Sequence, residues 1–411
     1  MYHSPDLIEK NLDEVDKKGA LDDSTITQDW IDASQERPEE KSALHQKPPL
    51  SALINLDDFM RSFEKYGPKK AWAYIIGASN DLLSYEANKN SWYKLWFRPR
   101  VMRNVKFINT KMKMMGADVA MPVYIAPMGI AKTAGPEGEI ALGAGAAGGG
   151  IIHCQSTAAS FSVEDILLSV PKTYPYFFQL YVDRNREKTE ELLARLETMD
   201  QIKAIFVTVD LPVVSKREAD ERVLEEQKVS TYQGSGVTNK ADKKGGGLAR
   251  TTGNFIDWQL TWDDIPWIKK HTSKPILAKG IQSAADAKIA LQLGLDGIVV
   301  SNHGGRALDN APATLLVLLE LRRDVPEVFQ KMEVYIDGGV RRGSDILKAV
   351  LIGAKGVGIG RPFQCAVAYD TAGVEHVCDS EFDRPRGSIR HLADASQYSK
   401  MNWRQQCDFV E

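Results

Sequence analysis

An imidazole and a guanidinium stand three residues apart in the segment Ser301-Asn302-His303-Gly304-Gly305-Arg306-Ala307-Leu308-Asp309. The segment follows directly on the apolar run Gly297-Ile298-Val299-Val300, so a buried strand runs into a Gly-Gly turn that carries both groups. A base beside an anion clamp suits a substrate whose carboxylate adjoins a carbon-bound proton. Arg306 would hold the carboxylate by a two-pronged, charge-assisted hydrogen bond, and His303 would take the proton near neutral pH. A His before Gly-Gly is equally the composition of a surface turn, and this segment by itself does not separate the two readings.

The elements that must position these groups are legible from Met121 onward, where short apolar runs alternate with amphipathic stretches. The runs are Pro122–Ala126, Ile151–Cys154, Tyr176–Tyr181, Ala204–Val209, Pro275–Lys279, Gly297–Ser301, Val334–Asp337 and Gly356–Ile359. Helical patterns such as Arg186–Thr198, Ser283–Leu293 and Gly343–Ile352 lie between them. Eight such strands with intervening helices, over about 250 residues, predict an α/β fold of the (β/α)8 TIM-barrel type. An open doubly wound sheet is the alternative. It would want Gly-x-Gly-x-x-Gly after its first strand, and Ala126-Pro127-Met128-Gly129 is not that turn. Helices at Leu56–Phe59 and Pro68–Tyr74 precede the barrel. The connection Glu218–Asp257 is long for a barrel loop and holds the Lys-, Asp-, Ala- and Gly-rich run Lys240–Gly247, so it reads as a mobile lid or a disordered loop.

In a barrel the residues just past each strand meet in one mouth. Here they are Pro127, Met128 and Gly129; Ser156; Gln179 and Tyr181; Thr208 and Asp210; Lys279; Ser301, His303 and Arg306; the turn Asp337-Gly338-Gly339-Val340-Arg341-Arg342-Gly343; and the turn Gly358-Ile359-Gly360-Arg361-Pro362. Backbone N–H groups in the last two turns, with arginines beside them, make a phosphate cradle. Polar side chains on neighbouring strand ends suit a heteroaromatic ring. A phosphate at one end and a ring-sized polar arc at the other fit FMN.

Together these blocks resemble the FMN-dependent 2-hydroxy-acid dehydrogenase and oxidase family, which includes glycolate oxidase and flavocytochrome-type L-lactate dehydrogenase. The likeness covers about residues 50–377. It runs through Ala71-Trp72-Ala73-Tyr74, Phe97-Arg98-Pro99-Arg100, Pro136-Glu137-Gly138-Glu139, Gln179-Leu180-Tyr181, Thr208-Val209-Asp210, Ser301–Arg306 and both arginine turns. The resemblance implies oxidation of an L-2-hydroxy acid to the 2-oxo acid, by hydride transfer or through a carbanion. It implies His303 as base, Asp210 as its orienting carboxylate, Tyr74 and Arg306 on the substrate carboxylate, Tyr181 near the substrate hydroxyl and Arg217 as a second arginine at the mouth. Lys279 would sit by flavin N1 and O2 and Gly129 beside N5. Pro127, Met128, Ser156, Gln179, Thr208, Ser301 and Asp337 would line the flavin, with Gly339, Arg341, Gly360 and Arg361 at its phosphate.

Three pocket positions are smaller than in relatives of that family: Ala158, Gly129 and Val214, which implies a substrate larger than glycolate, lactate-like or longer. Met128 stands where a Thr is frequent. At the N-terminus, His3–Glu9 resembles the hinge that follows a haem-binding domain in the flavocytochrome branch, and no His-Pro-Gly-Gly motif is present. Residues 1–50 hold twelve Asp or Glu against six Lys or Arg and read as an acidic, disordered tail or linker. Residues 51–377 are the expected FMN domain. Beyond Val377 the apolar stripe of a closing helix is absent, so 378–411 reads as an atypical tail and the last barrel helix as atypical or missing. A truncated flavin-binding protein with little turnover is the competing expectation.

Composition narrows the partners. With 43% hydrophobic and 26% charged residues and a net charge of -3, the chain gives no reason to expect nucleic acid or an acidic membrane. Neither a bilayer-spanning run nor a targeting signal is readable, so a cytoplasmic or mitochondrial location is expected. Cys154, Cys365, Cys378 and Cys407 lack metal-ligand spacing, and no metal is expected. The expected partners are a small 2-hydroxy acid and an acceptor that is oxygen or an external molecule, and the resemblance implies a homotetramer.

Overall fold

The N-terminal helices follow from cap and stripe. In α1 (Leu56–Tyr66) the side chain of Asn55 accepts the Asp58 N–H as N-cap. Leu56, Phe59, Met60 and Phe63, spaced i, i+3, i+4, i+7, are buried. Helices α2 (Lys69–Ile76) and α3 (Leu83–Lys94) follow. A hairpin of β1 (Met112–Met114) and β2 (Ala117–Val119) then stops the N-terminal end of the barrel: Met114 is fully buried among the interior side chains, and Met115 N–H donates to Glu333 Oε2. This computed structural model describes residues 46–98, 102, 109–226, 228–231, 234–238 and 241–379. The chain divides into units Met1–Lys47 and Pro48–Glu411, and the site lies wholly in the second.

Strands β3 (Val123–Ile125), β4 (Ile152–Ser156), β5 (Tyr176–Leu180) and β6 (Ile202–Thr208) run parallel. A second hairpin, β7 (Lys228–Thr231) with β8 (Gly234–Thr238), interrupts the series. Strands β9 (Ile276–Ile281), β10 (Gly297–Val300), β11 (Glu333–Asp337) and β12 (Gly356–Ile359) complete it, and β12 pairs with β3 to close the barrel. All eight barrel strands fall on the expected apolar runs. Their residues are almost all buried, because a parallel barrel covers both faces of each strand. Tyr124, Cys154, Phe177, Phe206, Leu277, Val299 and Tyr335 fill the interior.

The outer helices are α4 (Gly138–Gly148), α5 (Val163–Leu168), α6 (Arg186–Glu197), α7 (Glu218–Arg222), α8 (Ile265–Lys270), α9 (Ala284–Gln292), α10 (Thr314–Asp324), α11 (Val328–Lys331), α12 (Gly343–Ile352), α13 (Arg361–Ala366) and α14 (Asp370–Cys378). The long β6–α8 connection, expected as a lid or loop, carries secondary structure of its own: α7, the β7–β8 hairpin and a 3-10 turn at Leu248–Thr252. It is also fastened down. Lys70 Nζ on α2 donates to the carbonyls of Asp220, Val223 and Gly246 at 2.7, 2.8 and 2.7 Å and lies 3.0 Å from Asp220 Oδ1.

After the eighth strand, the expected gap in the helical layer is occupied as far as the description reaches. Helix α14 packs against α4, where a Cβ on Gly145 would stand 2.5 Å from Val374. Val374, Val377 and Cys378 are buried there. The acidic N-terminal stretch and the tail beyond Asp379 lie outside the described residues, apart from 46–50.

Candidate active site

The candidate base and its carboxylate come from different strands. Asp210 follows β6 with its side chain 0% exposed, and His303 follows β10 with its side chain 18% exposed. His303 Nδ1 lies 2.9 Å from Asp210 Oδ1, and Nε2 lies 3.2 Å from the Tyr181 hydroxyl. A carboxylate accepts but does not donate, so Nδ1 carries the proton and the Nε2 lone pair faces the cavity. Burial lowers the His303 pKa against the upward pull of Asp210. Burial works to raise Asp210, but His303 and Lys279 outweigh it and hold the carboxyl below its ordinary value. The Tyr181 phenol is pushed up, by burial first and by Asp210 second, and stays protonated. Gly280, at φ 119°, makes room for this pair, since a Cβ there would stand 2.5 Å from Asp210 Cβ.

Below the mouth lies a polar layer. Ser156 Oγ donates to Gln179 Oε1 at 3.0 Å, and Gln179 Nε2 donates to Thr208 Oγ1 at 2.9 Å, across three adjacent strands. Lys279 Nζ reaches Ser301 Oγ at 3.3 Å and Asp337 Oδ2 at 3.5 Å, and Ser301 Oγ donates to Asp337 Oδ1 at 2.6 Å. Burial opposes the charge on Lys279, but Asp337 and Asp210 raise its pKa overall.

A cavity open to solvent is lined by Tyr74, Tyr181, His303, Arg306, Arg217 and Lys279. Pro127, Met128, Gly129, Ser156, Asp337, Gly339, Arg341, Gly360 and Arg361 line it as well. Arg306 lies over the Tyr74 ring at 4.9 Å and donates to the carbonyls of Tyr74 and Ile75. Arg361 donates to Ile75, Gly304 and Gly77 carbonyls, which engages three of its five N–H groups. Arg341 donates to Val340 O and lies 3.3 Å from Asp57. Gln179, Thr208, Ser301 and Asp210 stand behind the lining. Pro99 and Arg100 of the Phe97–Arg100 block lie outside the described residues.

The cavity is short of anions. Among the described residues Arg217, Arg306 and Arg361 have no ion-pair partner, and Arg217 Nε is buried with no hydrogen-bond partner. Desolvation and the neighbouring Arg306 lower Arg217 to about 10 and Arg361 to about 9. A phosphate and a carboxylate would answer that charge, so the residues present fit FMN and an acidic substrate.

Sequence reading missed three contributors. Gln364 lines the cavity one helical turn after Arg361, where an i, i+3 reading of α13 could have found it. Leu211 lines it beside Asp210, and Asn88 lies beneath the His303 turn; nothing in their local sequence marks them.

The FMN-dependent dehydrogenase family matches residues 64–381, and the chain belongs to that family. L-lactate dehydrogenase (cytochrome) of Wickerhamomyces anomalus is 36% identical over 375 residues, covering 90% of this chain and 64% of the relative. The chain thus spans less than two thirds of that protein's length. Glycolate oxidase 3 of Oryza sativa subsp. indica is 35% identical over 333 residues, covering 80% of this chain and 89% of the relative. A leucine-to-alanine variant of flavocytochrome b2 with benzoylformate superposes with a TM-score of 0.75 at 36% identity, covering 87% of both chains.

Proposed function

We propose that this site oxidises an L-2-hydroxy acid to the 2-oxo acid. The observation that carries the reading is the His303 imidazole, bonded to Asp210 through Nδ1 and presenting Nε2 beside Tyr181 to a cavity lined by two arginines without carboxylate partners. Arg306 and Arg217 hold the substrate carboxylate with Tyr74 beside them. Tyr181 donates to the substrate oxygen, and His303 Nε2 takes a proton. Asp210 stabilises the imidazolium that forms. The substrate loses two electrons and two protons, one proton to His303 and the other, with the electron pair, to the acceptor. When bound, FMN supplies the two-electron acceptor. It would be held at its phosphate by Gly339, Arg341, Gly360 and Arg361, and along its ring by Pro127, Met128, Gly129, Ser156, Gln179, Thr208, Lys279, Ser301 and Asp337. Oxygen or an external acceptor then removes the electrons.

The substrate is larger than glycolate. Gly129, Ala158 and Val214 all line the cavity, and their small side chains leave volume to the substrate tail. The flavocytochrome b2 variant holding benzoylformate is a related barrel that admits an aryl 2-oxo acid. The test is to mix the yellow protein anaerobically with L-lactate, L-mandelate and glycolate and follow flavin bleaching. Bleaching by L-lactate or L-mandelate ahead of glycolate is expected, and His303→Gln should abolish it with FMN still bound. Flavin that every 2-hydroxy acid leaves oxidised would reverse the reading in favour of a flavin-binding protein with little turnover. A preference for glycolate would overturn the pocket argument alone.

A further inference from the structure

The catalytic turn is built from backbone that a histidine rarely adopts. His303, Gly304 and Gly305 take φ values of 59°, 64° and 77° in succession. The two glycines accept this freely, but His303 pays in steric strain and stays there only if its surroundings fix it.

What fixes it is a buried pair of amides. Asn88 on α3 is 1% exposed and Asn302 is 0% exposed. Asn88 Nδ2 donates to Asn302 Oδ1 at 2.7 Å, and Asn302 Nδ2 donates to Asn88 Oδ1 at 3.0 Å. Each oxygen also accepts a backbone N–H, Asn88 Oδ1 from Thr314 at 3.1 Å and Asn302 Oδ1 from Gly305 at 3.0 Å. Those two N–H groups settle which atom of each amide is the oxygen. Asn302 opens the turn that contains His303, and its side chain is bonded to Gly305 at the far end. Asn88 is the side chain that holds Asn302 from outside it.

The same residue touches the arginine turn Asp337–Gly343. A Cβ on Gly339 would stand 2.3 Å from the Asn88 carbonyl oxygen, and one on Gly338 would stand 3.2 Å from Asn88 Nδ2. One helical turn on, Trp92 Nε1 donates to Gly338 O at 3.0 Å. Helix α3 therefore abuts the turn that carries the base and the turn that flanks the cradle.

We propose that Asn88 is a positioning residue for His303, setting the turn that aims Nε2 into the cavity while resting against the Gly338–Gly339 turn. The inference rests on the reading of His303 as base. The carboxylate clamp has its own anchors, because Arg306 is tied to Tyr74 and Ile75, and its carbonyl accepts from Ser215 Oγ at 2.7 Å. Loss of Asn88 should therefore act on the proton-transfer step more than on substrate binding. The charged groups that bear on the His303 titration are Asp210, Lys279 and Arg217, and of these Asp210 depends most on aim.

The test compares Asn88→Asp and Asn88→Ala with the unaltered holoenzyme in anaerobic single-turnover bleaching by L-lactate and L-mandelate, expressed per bound flavin, from pH 5 to 9. Asn88→Asp keeps the shape and the acceptor but cannot donate to Asn302 Oδ1. Displacing a catalytic group by about 1 Å costs on the order of 100-fold, so the limiting rate should fall about 10- to 100-fold. Half-saturation should move less than about threefold, and in Asn88→Ala, which adds no charge, the acid limb should shift to lower pH as Asp210 loses contact with the imidazole. FMN affinity, read by fluorescence quenching, should weaken in both variants. Limiting rates and acid limbs equal to those of the unaltered enzyme, whatever the change in Tm, overturn the proposal. If Asn88→Ala is insoluble, the near-isosteric Asn88→Asp decides alone. Unaltered protein that no 2-hydroxy acid bleaches overturns the functional reading, and this inference falls with it.

Discussion

At the scale of single residues, Asp210 has the least freedom to be anything else. Its side chain is fully buried, and Oδ1 is committed to His303 Nδ1 while Oδ2 has no partner. A buried carboxylate with an unpartnered oxygen is costly unless its charge is used. Its use is to favour the imidazolium. Burial outweighs that pull in the resting site, so His303 titrates below its ordinary 6.5. As the proposed base, His303 would act as neutral imidazole, and reduction should be full above that pKa and fall as pH drops through it. Asp210→Asn removes the attraction that raises the His303 pKa, so the acid limb should move lower still. The imidazolium also loses its partner, and the limiting rate should drop about 100- to 10,000-fold. A pH profile of flavin reduction checks both, and an unshifted acid limb would separate Asp210 from the base. Specificity is also decided by single side chains. Ala158→Leu should fill the wall beside Gly129 and lower kcat/KM for L-mandelate by about 10-fold or more relative to L-lactate, since a few buried methylene groups are worth about 1–3 kcal/mol. Equal losses on both substrates would show that the tail does not lie against Ala158.

At the scale of elements, what could be read from the sequence divides by how each residue announces itself. The barrel strands are apolar runs ending in Ser, Gln, Thr, Lys or Asp, because their length packs in the core while their ends join a buried polar layer below the mouth, and a linear pattern records that. Asn88 and Lys70 are polar residues on helices, a pattern that ordinarily marks solvent, and only their distant partners Asn302 and Asp220 make them interior. The β1–β2 and β7–β8 hairpins were likewise invisible, being three to five residues per strand with no clean alternation. The Lys70–Asp220 pair is the clearest case of long-range placement. Both side chains are at most 1% exposed, and Asp220 further accepts the N–H groups of Leu248 and Ala249. Tyr74 lies one turn beyond Lys70 on α2, and Arg217 precedes Asp220 at the start of α7, so the pair positions two residues of the carboxylate site. Lys70→Met leaves Asp220 buried without its counter-charge, a loss of about 3–5 kcal/mol. The expected result is faster proteolysis within residues 223–246 and a KM for hydroxy acid raised about 10-fold, with Asp220→Asn added to Lys70→Met recovering part of both. Wild-type protease resistance and KM in Lys70→Met would mean that the connection is held by other contacts.

At the scale of the whole molecule, the distribution of charge matters more than its sum. The net charge is -3, yet the cavity gathers Arg217, Arg306, Arg361 and Lys279 around a volume open to solvent. Arg217 and Arg361 have folded-state pKa values depressed to about 10 and about 9 from an ordinary 12.5. A depressed base means that the unfolded chain holds its proton more tightly, so the protein without cofactor carries this cost at neutral pH and sheds it only as pH rises through those values. An anion that enters the cavity removes the same cost at constant pH. Stripped of FMN, the protein should therefore gain stability from inorganic phosphate beyond the effect of chloride at equal ionic strength. At about 100 times the dissociation constant the gain is about 2.7 kcal/mol, and for a domain of about 330 residues that corresponds to a Tm rise of about 4 °C. Arg361→Met should lose most of the phosphate response and, because it also strips three backbone carbonyls of their donor, should lower the Tm of the stripped protein. Differential scanning calorimetry of both proteins in phosphate and in chloride measures the two effects together. Identical Tm values in the two salts would show that the arginines are already neutralised within the fold, and that the cavity makes no demand for an anion.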